Sequence, residues 1–65
     1  MNREWLRDIR KKAGKSQKNL AKEVGISQVY CSAIELGLRG KNISVNLARK
    51  FANALNFDLQ KFYEN

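Results

Sequence analysis

The sequence predicts an all-α domain, compact and built from five short helices. Two observations carry that reading. Apolar residues recur at helical spacing through most of the chain, and no run alternates cleanly with period two, as a half-buried strand would. Glycine, serine, asparagine and aspartate fall at the places where such helices would start or stop, and the chain contains no proline. At 65 residues there is one domain, and a chain this short buries only ~60% of the surface that it exposes unfolded. No helix of such a domain is long enough to be stable alone, so packing must hold all of them.

The first helix is expected from about Asn2 to Ala13, with Trp5, Leu6, Ile9 and Ala13 on one face and Arg3, Arg7, Lys11 and Lys12 elsewhere; Gly14 ends it. Ser16 caps the second helix, whose stripe is Leu20, Ala21 and Val24 and which stops at Gly25. The third helix, capped by Ser27, runs from Gln28 to about Leu36 with Cys31 and Ile34 inward. Ala21 is small where two steeply crossing helices need close backbones, and Gly25 can take the positive φ of a tight turn. Residues 17–36 therefore read as a helix-turn-helix, with Gln28 and Val29 exposed on the first turn of its second helix. Exposed glutamine at that position is suited to reading base edges in a DNA major groove.

Residues 37–43, GLRGKNI, form a loop with two glycines, two cations and an asparagine. Ser44 caps a fourth helix that places Val45, Ala48, Phe51, Ala52 and Leu55 on one side. Asn56 and Phe57 turn the chain, Asp58 caps, and LQKFYEN makes a last short helix with Leu59, Phe62 and Tyr63 apolar.

Charge narrows the function. Thirteen Lys and Arg against 6 Asp and Glu give +7, and the stretch from Arg10 to Lys22 has no acid. Cations flanking a helix-turn-helix pattern point to a polyanion. A membrane-surface role would need a free apolar face, which the core consumes here. No apolar run reaches transmembrane length, and MNREWLRD is too charged for a signal peptide, so a cytoplasmic protein is expected, nucleoid-associated through DNA binding. Catalysis finds no support: there is no histidine, no second cysteine, no useful carboxylate pair and no glycine-rich phosphate loop. No cofactor, metal or small-molecule ligand is expected. The lone Cys31 lies on an apolar stripe and reads as an inert core thiol.

The pattern GxSQxxLAxxxGISQ, with Glu35, Gly37 and Arg39 following and NISVNLARKFANAL after the loop, resembles the lambda-repressor-like, Cro-type (XRE) helix-turn-helix regulators of phage and bacteria. Size and the NIS sequence also resemble restriction-modification controller proteins. The resemblance implies a sequence-specific transcriptional regulator, repressor or controller, that binds a palindromic double-stranded DNA operator as a homodimer. It makes Gln28, Val29, Ser32 and Ala33 the base-reading residues. A glutamine can pair bidentately with adenine, while Val29 and Ala33 can only meet thymine methyls or exclude water.

For the DNA backbone, the resemblance implies Lys15, Gln17, Lys18, Ser27, Tyr30, Arg39, Lys41, Asn42 and Ser44, with Gln17 also bracing Gln28. Arg10 and Glu35 match a family pair that joins the first helix to the end of the recognition helix. Leu47, Leu59, Lys61 and Tyr63 become dimer-interface candidates, although Leu59 would also suit an ordinary core. The chain departs from the pattern in a lengthened loop between Glu35 and Ser44, with Gly40 and Lys41 the apparent extras. It departs again at Lys15 and Cys31, where the family usually has apolar residues. A protein-interaction module with secondary DNA binding, such as the antitoxin of a toxin pair, is the alternative from another class. RNA binding is disfavoured, because no exposed aromatic platform is evident and A-form major grooves exclude a helix.

Overall fold

The computed structural model describes residues 2–64 and contains, among them, four α-helices and no strand. They are α1 (Glu4–Lys12), α2 (Gln17–Val24), α3 (Gln28–Glu35) and α4 (Val45–Leu55). The expected fifth α-helix is a 3-10 segment, Leu59–Tyr63. Five residues cannot meet the cost of nucleating an α-helix. The Asp58 carboxylate accepts from Gln60 N at 2.9 Å and Lys61 N donates to Asp58 O at 3.0 Å, which closes the tighter turn. Asn65, at the end of that expected helix, lies outside the described residues.

Three serines start three helices in the same way. The Oγ atoms of Ser16, Ser27 and Ser44 accept from Asn19 N, Tyr30 N and Leu47 N at 3.0–3.1 Å, each from an extended backbone. Gly25 closes α2 in the left-handed region at φ 86°, and Asn56 does so for α4 at φ 58°. The first helix begins two residues later than expected, at Glu4, because no side chain caps it earlier.

Leu6, Leu20, Val24, Cys31, Ile34, Ala48 and Phe51 form the centre of the core, with α2 packed against both α3 and α4. Trp5, Phe51, Phe57 and Phe62 make an edge-to-face and tilted aromatic group with centroids 5.2–5.8 Å apart, and it seats the 3-10 segment on α1 and α4. Two expected core positions lie outside. Ala13 is exposed just past α1, and Val45, in the first turn of α4, is 51% exposed. Ile43, the last residue of the expected loop, is buried and belongs to the core.

One polar cluster crosses the interior. Arg10 and Glu35 are both buried, and Arg10 Nε donates to Glu35 Oε2 at 2.7 Å. Arg10 Nη1 donates to Lys15 O at 2.8 Å, while Gln17 Nε2 donates to Glu35 Oε1 at 3.1 Å. No buried side-chain polar atom among the described residues lacks a partner. Removing only one charge would leave the other buried and unpaired. Glu35→Ala should therefore destabilise the domain by about 3–5 kcal/mol, comparable to the whole stability of so small a fold. The double variant Arg10→Met/Glu35→Leu should retain a cooperative urea transition, read by circular dichroism. A double variant no more stable than Glu35→Ala would show that the pair stabilises in its own right.

Cys31 has no exposed surface, and burial pushes its thiol up to about 11, helped by the neighbouring Glu35 charge and opposed by Arg10. The neutral thiol fits the core and the thiolate does not. Its contribution is full below the ordinary value of 9.0 and is lost as pH rises toward about 11. Stability should fall less steeply over that interval in Cys31→Ala than in the parent, and native Cys31 should react with a thiol reagent at neutral pH only as fast as the domain opens. Rapid labelling of the folded protein would contradict the buried assignment.

Candidate nucleic-acid interface

The outer face of α3 is set by its own period: with Cys31, Ile34 and Glu35 turned inward, residues 28, 29, 32 and 33 remain outside. Gln28 is exposed, Val29 is 80% exposed, and Ser32 and Ala33 are half-buried. An open cleft of about 440 Å³ lies along one flank, lined by Gln17, Gln28, Ser32, Leu36 and Leu38. Another of about 580 Å³ lies along the other, lined by Ser27, Tyr30, residues 39–44 and Leu47. Val29 and Ala33 line both and form the ridge between them. The larger cleft is walled by polar and cationic residues, and the smaller one combines Gln17, Gln28 and Ser32 with the apolar Leu36 and Leu38.

Around this ridge the remaining expected residues fall into distinct groups. Lys18, Arg39, Lys41, Asn42 and Ser44 are exposed, and Lys18, Arg39 and Lys41 form no salt bridge among the described residues. The N-terminus of α4 opens beside Arg39, Lys41 and Asn42, where the first amides of a helix lack intrahelical partners. Tyr30 is 37% exposed on the wall of the larger cleft. Ser27 serves as the cap of α3.

Lys15 stands apart. Its ammonium lies 2.8 Å from Glu23 Oε2 and donates to Ala54 O at 2.7 Å, so it ties the turn after α1 to α2 and to the end of α4. The expected phosphate contact is replaced by an internal brace, because a terminal helix carbonyl and a carboxylate converge on the amine. Gln17 lines the same cleft as Gln28 but bonds to Glu35 rather than bracing Gln28. An ionised carboxylate is the stronger acceptor.

Of the residues expected at a dimer interface, Leu47 and Leu59 are partly buried against the core. Lys61 is exposed, with its ammonium 5.8 Å from the Trp5 ring centroid, and the Tyr63 hydroxyl donates to Ile43 O at 2.9 Å.

Two features escape a reading by periodicity. Leu36 and Leu38, 50% and 74% exposed, extend the apolar surface of the smaller cleft. Their signal was a pair of leucines flanking Gly37, where the third helix gives way to the loop. Arg3, expected on the outer side of the first helix, is half-buried, and its guanidinium donates to Ile34 O, Arg39 O and Gly40 O at 2.7–2.9 Å. Burial lowers its pKa from the ordinary arginine value. Nothing local in the sequence marks that contact. Among the described residues no helix is long and apolar enough to cross a membrane, and no group of three or more His, Cys, Asp or Glu is placed to hold a metal ion.

A family model described as helix-turn-helix matches residues 6–62. The HTH-type transcriptional regulator YqaF of Bacillus subtilis (strain 168), itself uncharacterized, is 34% identical over 65 residues, which cover all of this chain and 83% of that protein. No solved structure matches. With a helix-turn-helix in the structure at α2 and α3, and a family match spanning nearly the whole fold, the chain belongs to the XRE-type helix-turn-helix family.

Proposed function

We propose that the protein is a sequence-specific regulator of transcription that binds a double-stranded DNA operator through α3. The observation that carries this reading is the outward Gln28–Val29–Ser32–Ala33 face between two open clefts, the larger lined by Arg39 and Lys41, cations that form no salt bridge among the described residues. The family match and the regulator YqaF support it.

On this reading α3 enters the major groove. The Gln28 amide accepts from the adenine amino group and donates to the ring nitrogen, and Val29 and Ala33 contact thymine methyls. Lys18, Gln17, Ser27, Tyr30, Arg39, Lys41, Asn42 and the amides that begin α4 after Ser44 hold the phosphates on either side. These contacts position the protein, and the ridge specifies the sequence. Lys15 drops out of the contact set, its ammonium being occupied within the fold.

The active species is a homodimer. One recognition helix covers only about four or five base pairs, and two-fold pairing doubles the site. Leu47, Leu59, Lys61 and Tyr63 form the face on which a second copy packs. The exposed leucines favour a second reading. Leu36, Leu38 and Val29 border one cleft and would suit a protein partner, as in an antitoxin that grips its toxin.

Selection of binding sites from random duplex DNA tests the main reading and supplies the operator. Gln28→Ala should then weaken operator binding by about 1–3 kcal/mol and leave random DNA nearly unaffected, since it removes a base contact and no charge. Lys18→Gln or Arg39→Gln should weaken both DNAs alike and shallow the slope of log K against log salt by about one unit per lost phosphate. Failure to enrich any sequence, together with capture of one protein partner, would favour the second reading.

The selected operator should be an imperfect palindrome with half-site centres about 10 base pairs apart. Inserting about half a helical turn between the halves sets the two recognition helices on opposite faces of the duplex. Affinity should then drop to that of a single half-site. Undiminished binding to the spaced operator would contradict the symmetric dimer.

A further inference from the structure

Arg3 lies before the part of the chain that matches the family model, yet its guanidinium makes three long-range hydrogen bonds to the end of α3 and the loop after it. Its backbone N donates to Glu35 O at 2.8 Å. Its Nη1 donates to Ile34 O at 2.7 Å and Arg39 O at 2.9 Å, and its Nη2 to Gly40 O at 2.7 Å. The other side of the guanidinium lies 5.6 Å from the centroid of the Phe62 ring, which the aromatic group holds in place.

The four acceptors lie at two sites, the end of α3 and the loop after it. The carbonyls of Ile34 and Glu35 belong to the last turn of α3, where a cation is favoured by the helix dipole; Ile34 O also accepts from Gly37 N at 3.1 Å. The carbonyls of Arg39 and Gly40 belong to the loop, whose own backbone bonds are local ones, from Leu38 N and Arg39 N to Ala33 O and from Ile43 N to Gly40 O, at 2.9–3.3 Å. Gly37 and Gly40 sit at φ 77° and 79°, and glycines there leave the backbone free to move when nothing holds it. Only a planar fork of donors can serve both sites at once; an ammonium is a point charge on a flexible stem.

We propose that Arg3 is a positioning residue for DNA binding, clamping the loop after α3 to the end of the recognition helix. Arg39, Lys41 and Asn42 are thereby presented at a fixed offset from Gln28. This rests on the reading of the protein as a DNA-binding regulator. Arg3 does not act as a phosphate contact itself: both hydrogens of Nη1 are donated to carbonyls, and the group is half-buried. The device acts by removing conformational entropy from the loop before DNA arrives, so that ordering is not charged against binding.

The test compares the parent with Arg3→Ala and Arg3→Lys in two measurements. Without DNA, amide hydrogen exchange and backbone ¹⁵N relaxation report on residues 37–43 against the amides of α2 and α4. Both variants should show faster exchange and lower order parameters confined to the loop. With the selected operator and with random DNA, across a salt series, both variants should lose affinity by the same factor on each DNA. Their slopes of log K against log salt should be shallower by about one unit or more, as loop contacts are lost.

Arg3→Lys keeps the charge, so its return to the parent affinity and slope would overturn the clamp in favour of simple electrostatics. An ordered loop in Arg3→Lys would overturn it as well. If Arg3→Ala does not fold, Arg3→Lys carries both measurements. A parent protein without DNA affinity would instead overturn the DNA-binding reading, and the positioning role with it, while the loop measurements would still decide whether the clamp exists.

Discussion

The carboxylate of Glu35 is the point on which the arrangement of helices depends. It sits in the last turn of α3 and accepts from Arg10 on α1 and from Gln17 at the start of α2. Arg10 continues to the Lys15 carbonyl, and Lys15 in turn to Glu23 on α2 and the Ala54 carbonyl on α4. A continuous chain of polar contacts thus touches all four α-helices. Apolar stripes alone tolerate sliding and rotation, because any contact between greasy surfaces is favourable. A buried carboxylate with directional partners is satisfied in one arrangement only, and any slip leaves charge unpaired at a cost of several kcal/mol. The pair is therefore better understood as fixing the orientation of α3 than as adding net stability over an apolar substitute.

Fixing the interior determines the surface. Once Glu35 and Ile34 are inward, Val29 must be outward, and a valine 80% exposed in the first turn of a helix contributes nothing to folding. Of the six acids, Glu35 is drawn inward with Arg10, Glu23 pairs with Lys15 and Asp58 is a cap, while Glu4, Asp8 and Glu64 are exposed. On the side of the larger cleft, Arg39 and Lys41 are exposed and form no salt bridge among the described residues. Exposed cations of this kind attract a polyanion over about a Debye length.

The parts of this structure legible in the sequence are those with local causes. Serine caps, the Gly25 turn and the stripes of α2 and α3 each follow from residues within one or two turns, and the structure shows them at those positions. The last element was legible as helical but not as 3-10, since that choice depends on length and on seating Phe62 among Trp5, Phe51 and Phe57. Ile43 lies in the core and Val45 outside it because the path of the loop decides which of two nearby apolar residues reaches the core. Lys15 and Arg3 were legible only as cations. Their partners lie 39 and 31–37 residues away, and nothing in the local pattern encodes so distant a carbonyl. The outward face of α3 follows from periodicity, whereas its leucine extension at Leu36 and Leu38 does not.

The same charge that would draw the protein to DNA works against the free domain. A +7 chain of 65 residues has a small core and repels itself. Screening by salt relieves that repulsion and favours folding, yet it weakens any contact to phosphates. The two effects have opposite signs because they are one set of cations seen in two states, unpaired when free and neutralised when bound. A polyanion that binds only the folded form therefore stabilises it twice, through mass action and through removal of the repulsion that the bare surface carries. In such a protein the buried Arg10–Glu35 pair has a particular value: it is shielded from salt, and it holds α3 in place at the ionic strengths where the surface charges no longer do.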